Sequence, residues 1–209
     1  MKRHLFSLLV FSLCVLGWAL VLKGGVQTAP VMAEPEVNLE ESAKTQILGE
    51  STHSLAGAKE WAAARGATDD FIAAADIYWK IGELMGIRAN VMYAQSAKET
   101  AFGNYTGNVT KDQNNFAGIK KVNATGDTRD DHETFSNSEA GVQGHFNHMA
   151  AYCGAEPLGM LHQRYYTVLS TGWAGNIKHV EDLSEKWAPA EDYGKSIVND
   201  YLNTMGENK

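Results

Sequence analysis

Glu99 closes a helix-forming run, AQSAKE, and the chain then turns at once into TAFGNYTGNVTKDQNNFAGIK, a stretch crowded with Gly and Asn. An acid at that position is either a solvated carboxylate, as most glutamates are, or a proton donor held over a cleft. A second acid, Glu133, lies further along in DDHETF. Two carboxylates on opposite walls of a groove can break an acetal: one protonates the departing oxygen, the other supplies negative charge or a nucleophile near the developing oxocarbenium ion. An aromatic, desolvating setting would keep the first acid protonated near neutral pH, and Phe102, Tyr105 and Phe116 are close to Glu99 in sequence. Glu133 reads equally as one more exposed acid of an acidic loop.

Rival chemistries have less support. His145 and His148 stand three apart on a helical stretch, and Asp131-His132-Glu133 adds further ligand types. No third ligand falls at a recognisable metal spacing, so these read as helix-surface histidines, and no metal or cofactor is expected. Ser96 and Thr100 have no visible His partner that would make either a nucleophile. Cys153 continues an apolar helical series and reads as a buried thiol.

The elements that must position the two acids are mostly helical. HSLAGAKEWAAARG, capped by Ser51 or Ser54, stops at Gly66. In TDDFIAAADIYWKIGELMGIR, Phe71, Ala74, Ala75, Tyr78, Ile81, Leu84 and Met85 recur at three- and four-residue steps, marking one buried face. Thr68 is its N-cap, with Asp69 and Asp70 in the first turn. A third helix runs from about Ala89 to Glu99. Residues 103–135 carry two short apolar runs separated by turn residues and predict an irregular β-hairpin lobe. Helix resumes with Ser136-Asn137-Ser138-Glu139, read as a capping box with Ser136 as cap, and two further helical stretches lie near 179–187 and 191–205. The expectation is a mainly α (α+β) domain in which a small lobe beside Glu99 creates a groove.

The N-terminus differs in kind. Lys2 and Arg3 precede an uncharged apolar run from Leu5 to Leu22, closed by Lys23. Positive charge followed by apolar sequence is an export signal, here either a cleaved signal peptide ending near Ala33 or a membrane anchor. Both place the remainder of the chain outside the cytoplasm. Residues 1–33 are thus signal or anchor, 34–46 an acidic tether, and 47–209 the functional domain. Beyond residue 33 the chain keeps all 25 Asp and Glu and 15 of its 18 Lys and Arg, a net charge of −10. Such a domain lacks the basic stripe that nucleic acid requires, and contact with a membrane is expected only through the N-terminal segment.

Three pieces in order resemble one family. The segment from Gln95 through Glu99-Thr100, the loop QNNFAGI ending at Ile119, and WAPAEDYGKSI near the C-terminus resemble the motifs of the bacterial peptidoglycan N-acetylglucosaminidases, glycoside hydrolase family 73. The similarity runs from about Ile47 to Met205. It implies a lysozyme-like helical domain and cleavage of the β-1,4 bond after N-acetylglucosamine in cell-wall glycan strands. On this resemblance Glu99 matches the general acid and Glu133 a second acidic residue on the lobe, with Asp130 and Asp131 as alternatives. Tyr193 matches the tyrosine of the closing motif, and Asn115 and Phe116 the Asn-Phe of the loop, as sugar contacts or as loop formers. Trp187 departs from the tyrosine that many members carry. Tyr105, Tyr165 and Trp187 are the aromatic faces best suited to sugar, whereas Trp61, Trp79 and Trp173 read as packing. A lytic transglycosylase is the nearest alternative, but its acid is usually followed by Gly-Leu-Met-Gln, and this chain has Asn-Asn-Phe-Ala-Gly-Ile. A non-catalytic wall-binding module is the other.

Overall fold

A computed structural model describes residues 43–206, all within one unit, Asn38–Lys209. The apolar run and most of the acidic tether lie outside the described residues. Among the described residues, six helices carry the domain: α1 (Leu55–Ala64), α2 (Asp69–Met85), α3 (Ala89–Thr100), α4 (Ser138–Cys153), α5 (Gln163–Leu169) and α6 (Tyr193–Ser196). The last runs on through an i→i+5 bonded segment, Ile197–Leu202. No helix among these residues is long and apolar enough to cross a membrane.

Local chemistry sets most helix ends. The Ser54 side chain caps α1 by accepting from the Gly57 N–H, and Thr68 caps α2 by accepting from Phe71 N–H. Asp69 and Asp70 sit in the first turn of α2, beside the positive end of its dipole. The cap of α4 is Asn137 rather than Ser136: its side-chain oxygen accepts from Ala140 N–H, while Glu139 reaches out to Lys80 at 2.9 Å instead of back to a cap.

Helix α2 packs on α1, α3 and α4, and α3 packs on the C-terminal i→i+5 segment. Aromatic rings knit the α2–α3 contact, with Phe71 stacked on Tyr93 at 4.6 Å and Tyr78 edge-on to Tyr93 at 5.5 Å. Burying each such side chain contributes roughly 1.5–3 kcal/mol. Trp61 belongs to this core, and Trp79 and Trp173 pack against it. Tyr165 is also buried in the core and therefore not open for stacking on a ligand. Cys153 is a buried free thiol, pushed up from its ordinary pKa by desolvation.

The two histidines that read as surface residues are buried. His145 is 0% and His148 6% exposed, because α4 is covered on nearly its whole circumference rather than along one stripe. Domain packing also begins earlier than Ile47. Thr45 O accepts from Val180 N–H, Gln46 pairs with His179, and Lys44 bridges to Asp182.

The segment expected as a β-hairpin lobe contains no regular strand. It is held by one isolated antiparallel bridge, Lys120 to His132, and two 3-10 turns, Lys111–Gln113 and Arg129–Asp131. Side chains replace the missing ladder: the Gln113 side-chain amide donates to the Arg129 and His132 carbonyls, and Asn115 ties both sides of the bridge together.

Candidate active site

Glu99 lies in the last turn of α3, and the backbone beyond it explains why the helix ends there. Ala101, Phe102 and Gly103 all adopt left-handed conformations, with φ of 49°, 58° and 78°. Two non-glycine residues in that region cost on the order of 1–2 kcal/mol each. The surroundings hold them. Phe102 N–H donates to Ala97 O and Phe102 O accepts from Thr68 N–H, while Gly103 N–H donates to the Thr100 hydroxyl. A Cβ on Gly103 would come within 2.5 Å of Thr68 Oγ1 and 2.7 Å of Phe71 Cβ. The reversal leaves Glu99 half-buried at the rim of the helical body.

Tyr193, at the start of α6, donates its hydroxyl hydrogen to Glu99 Oε1 in a short hydrogen bond. Tyr193 is buried, and its neighbour Gly194 explains the approach: a Cβ there would fall 2.1 Å from the Val180 carbonyl. The other carboxyl oxygen, Oε2, faces Gly118, where a Cβ would stand 3.3 Å away. Burial pushes the Glu99 carboxyl above the ordinary carboxylate range; the Tyr193 hydroxyl, the Lys98 charge and the Trp187 side chain act in the opposite direction without cancelling it. A partly desolvated acid with a raised pKa keeps its proton to higher pH than an ordinary carboxylate and can release it to a base beside it.

Glu133 is half-buried, and its N–H donates to Ile119 O, adjacent to Gly118. The bridge thus brings the Glu133 backbone beside the loop that touches Glu99. Of the two alternatives, Asp131 turns back on Thr128, accepting from its N–H and hydroxyl, and Asp130 pairs at the surface with Arg129.

Asn115 holds the loop in shape. Its Nδ2 donates to Ile119 O and Glu133 O while its Oδ1 accepts from Ala117 and Ile119 N–H, so its polar capacity is spent on the loop, and it is 1% exposed. Phe116 is likewise buried, packed edge-on to Tyr78. Tyr105 and Trp187 are half-buried. Tyr105 helps line a cavity of about 570 Å³ with Phe71, Phe116, Asp70, Lys111 and Asn114, next to the reversal but not including Glu99. Trp187 packs on His148 at 4.8 Å and Tyr152 at 5.2 Å. Gln95 and Gly118 fall inside the motifs without a role assigned from the sequence, although Gln95 is one helical turn before Glu99 and so on the same face.

Among the described residues no group of three or more His, Cys, Asp or Glu could hold a metal ion. His145 is engaged by Tyr78 and Gln95, and the ring of His148 packs on Tyr152 and Trp187.

Residues 75–205 match the glucosaminidase family model, described as mannosyl-glycoprotein endo-beta-N-acetylglucosaminidase. That stretch covers more than half of the chain and contains Glu99, Gly118, Glu133 and Tyr193; the chain belongs to the glucosaminidase family. An uncharacterized protein of Borreliella burgdorferi (strain ATCC 35210 / DSM 4680 / CIP 102532 / B31) is 30% identical over 125 residues. The alignment covers 59% of this chain and 57% of that relative, so the chain spans little more than half the length of the curated protein it matches. No solved structure matches.

Proposed function

We propose that this chain is a peptidoglycan hydrolase, an endo-β-N-acetylglucosaminidase that cuts the β-1,4 bond after N-acetylglucosamine in cell-wall glycan strands. The observation that carries the reading is Glu99: a half-buried carboxyl raised by desolvation, anchored through one oxygen by Tyr193 and facing the Gly118 loop through the other. Family membership supports the substrate class.

Glu99 gives its proton to the glycosidic oxygen as the bond to the anomeric carbon breaks, and the electron pair leaves with that oxygen. The carboxylate so formed accepts the Tyr193 hydrogen bond and lies near Lys98, both of which favour the charged form. Glu133 supplies negative charge beside the developing oxocarbenium ion, and water completes the substitution at the anomeric carbon, its proton restoring the Glu99 carboxyl. Tyr105 and Trp187 offer faces to the sugars, while Asn115 and Phe116 shape the loop. The apolar run at the N-terminus supports export, so the domain works outside the cytoplasm, secreted to the wall or held by an anchor.

Digestion of purified peptidoglycan followed by mass spectrometry of the fragments tests the reading. New reducing N-acetylglucosamine ends are expected. Anhydro-muramic ends, one water lighter, would make the enzyme a transglycosylase instead, and intact glycan would leave a wall-binding module. Protease accessibility on intact cells tests the location; a protected domain would overturn it.

A further inference from the structure

Behind Glu99 a chain of hydrogen bonds crosses the helical core. Tyr193 donates to Glu99 Oε1, and Gln95 Nε2 donates to the Tyr193 oxygen at 2.9 Å. Gln95 Oε1 meets His145 Nε2 at 3.0 Å, and His145 Nδ1 meets the Tyr78 hydroxyl at 2.9 Å. Tyr78, Gln95 and His145 are each 0% exposed, and Tyr193 is 4% exposed. Five side chains from four helices, α2, α3, α4 and α6, thus form one buried line ending on the carboxyl. A hydrophobic core does not need such a line for packing, since unpaired buried polar groups are costly and apolar ones are not.

The line has a direction. An amide oxygen only accepts, so His145 must carry its hydrogen on Nε2, and Nδ1 must then accept from Tyr78. With the Gln95 amide on its oxygen, Tyr193 can send its single hydrogen only to Glu99. Oε1 thereby accepts, a role that suits the carbonyl oxygen of a carboxylic acid, and the hydrogen of a protonated Glu99 belongs on Oε2, beside Gly118. Reversing the line would turn the Gln95 amide over, move the His145 hydrogen to Nδ1 and put the Glu99 hydrogen on Oε1, facing Tyr193 and away from any substrate. The Tyr78 hydroxyl hydrogen would then lose its ring nitrogen.

We infer that His145 and Gln95 are positioning residues that, through Tyr193, commit the catalytic hydrogen of Glu99 to Oε2. This rests on Glu99 being the acid. Neither residue touches substrate; each acts through its neighbour in the line.

Two measurements test it. Long-range proton–nitrogen correlation spectra of the wild-type protein near pH 7 read the His145 tautomer directly. The Nε2–H form is expected, and the Nδ1–H form or an imidazolium would overturn the inference whatever the activity. On peptidoglycan, Gln95→Leu and His145→Phe should lower kcat by roughly five- to tenfold, about the worth of one lost hydrogen bond, with KM unchanged. Their kcat/KM profiles should extend to higher pH, because Glu99 loses part of the donation that stabilises its charged form. Tyr78→Phe keeps the ring in the core and should move the same limb in the same direction by less. Profiles that superimpose on wild type in folded Gln95→Leu and Tyr78→Phe would sink the relay while leaving Glu99 as the acid. Wild-type protein that does not cleave glycan would instead count against the activity, and the tautomer would still decide the relay.

Discussion

The helical body and the lobe hold their carboxyl groups by opposite means. In the body, burial dominates: it raises Glu99 and holds His145 down at about 3, so that each favours its neutral form. In the lobe, hydrogen bonds at the surface dominate: Thr110, Lys120 and Thr128 hold Asp112, Asp127 and Asp131 below the usual carboxylate range. A desolvated acid is a proton source, whereas a solvated, hydrogen-bonded one is a fixed charge. In the proposed function the donor stands on the side where burial dominates, and Glu133 stands on the segment that no strand stiffens.

Removing the donor should have the largest effect. Glu99→Gln is expected to lower glycan cleavage by at least about a hundredfold, the lower range of general acid catalysis, with the fold retained. The same variant sharpens the electrostatic side. Folded Glu99 keeps its proton where the unfolded chain has lost it, so wild-type stability falls as pH rises from about 4.3 through the raised folded pKa. The variant should therefore gain in thermal midpoint over wild type above that window, and the gain should vanish below it.

Asn115→Ala attacks the lobe at its knot. Four backbone groups lose their bonds at once, three of them buried, and an unpaired buried group costs about 1–3 kcal/mol, so a loss of roughly 2–4 kcal/mol is expected in denaturant titration. Hydrogen exchange should place the first opening in residues 113–133. Uniform opening across α2 and α3 would show that the two regions are not separate.

The buried imidazole predicts an acid limit for the body. His145 binds no proton when folded until about pH 3, while the unfolded chain protonates near 6.5. Stability is complete above about 6.5 and declines as pH falls toward 3, by about 1.4 kcal/mol per pH unit for each such group. The slope should flatten in His145→Phe.

Gly118→Ala is milder. The residue sits at φ 60°, so alanine there costs about 1 kcal/mol, and its methyl presses toward Glu99 Oε2. Activity should fall more than stability. The smallest effect belongs to Arg129→Ala: its partners Asp112 and Asp130 are exposed, and such pairs contribute little. No measurable change in thermal midpoint is expected.

Much of the body is legible in the sequence. The apolar period of α2, its Thr68 cap and the end of α3 at Glu99 come from local rules, and the closing motif matches Tyr193 to Glu99. The features that escape depend on tertiary packing. Residues 163–169, QRYYTVL, are too short for a period to register. The lobe reads as strands, yet the side chains of Gln113 and Asn115 take the place of a ladder, which no alternation pattern encodes. The α4 histidines read as exposed because a helix buried on all sides gives no polar face to contrast with an apolar one. Gln95 lies within the motif, but its value depends on a histidine fifty positions away.

The reversal at Ala101–Gly103 fixes more than a helix end. Ser51 Oγ receives the N–H of Ala89 at one end of α3, and the contact of Gly103 with Thr68 and Phe71 clamps the other. The helix is a measured length between two stops. One residue added inside it would swing the acid about 100° around the axis, away from tyrosine and loop alike. Insertions of similar size in the exposed stretch 106–108 leave both stops in place. Relatives should therefore differ freely in the length of that stretch while keeping the count of residues from the first stop to the acid.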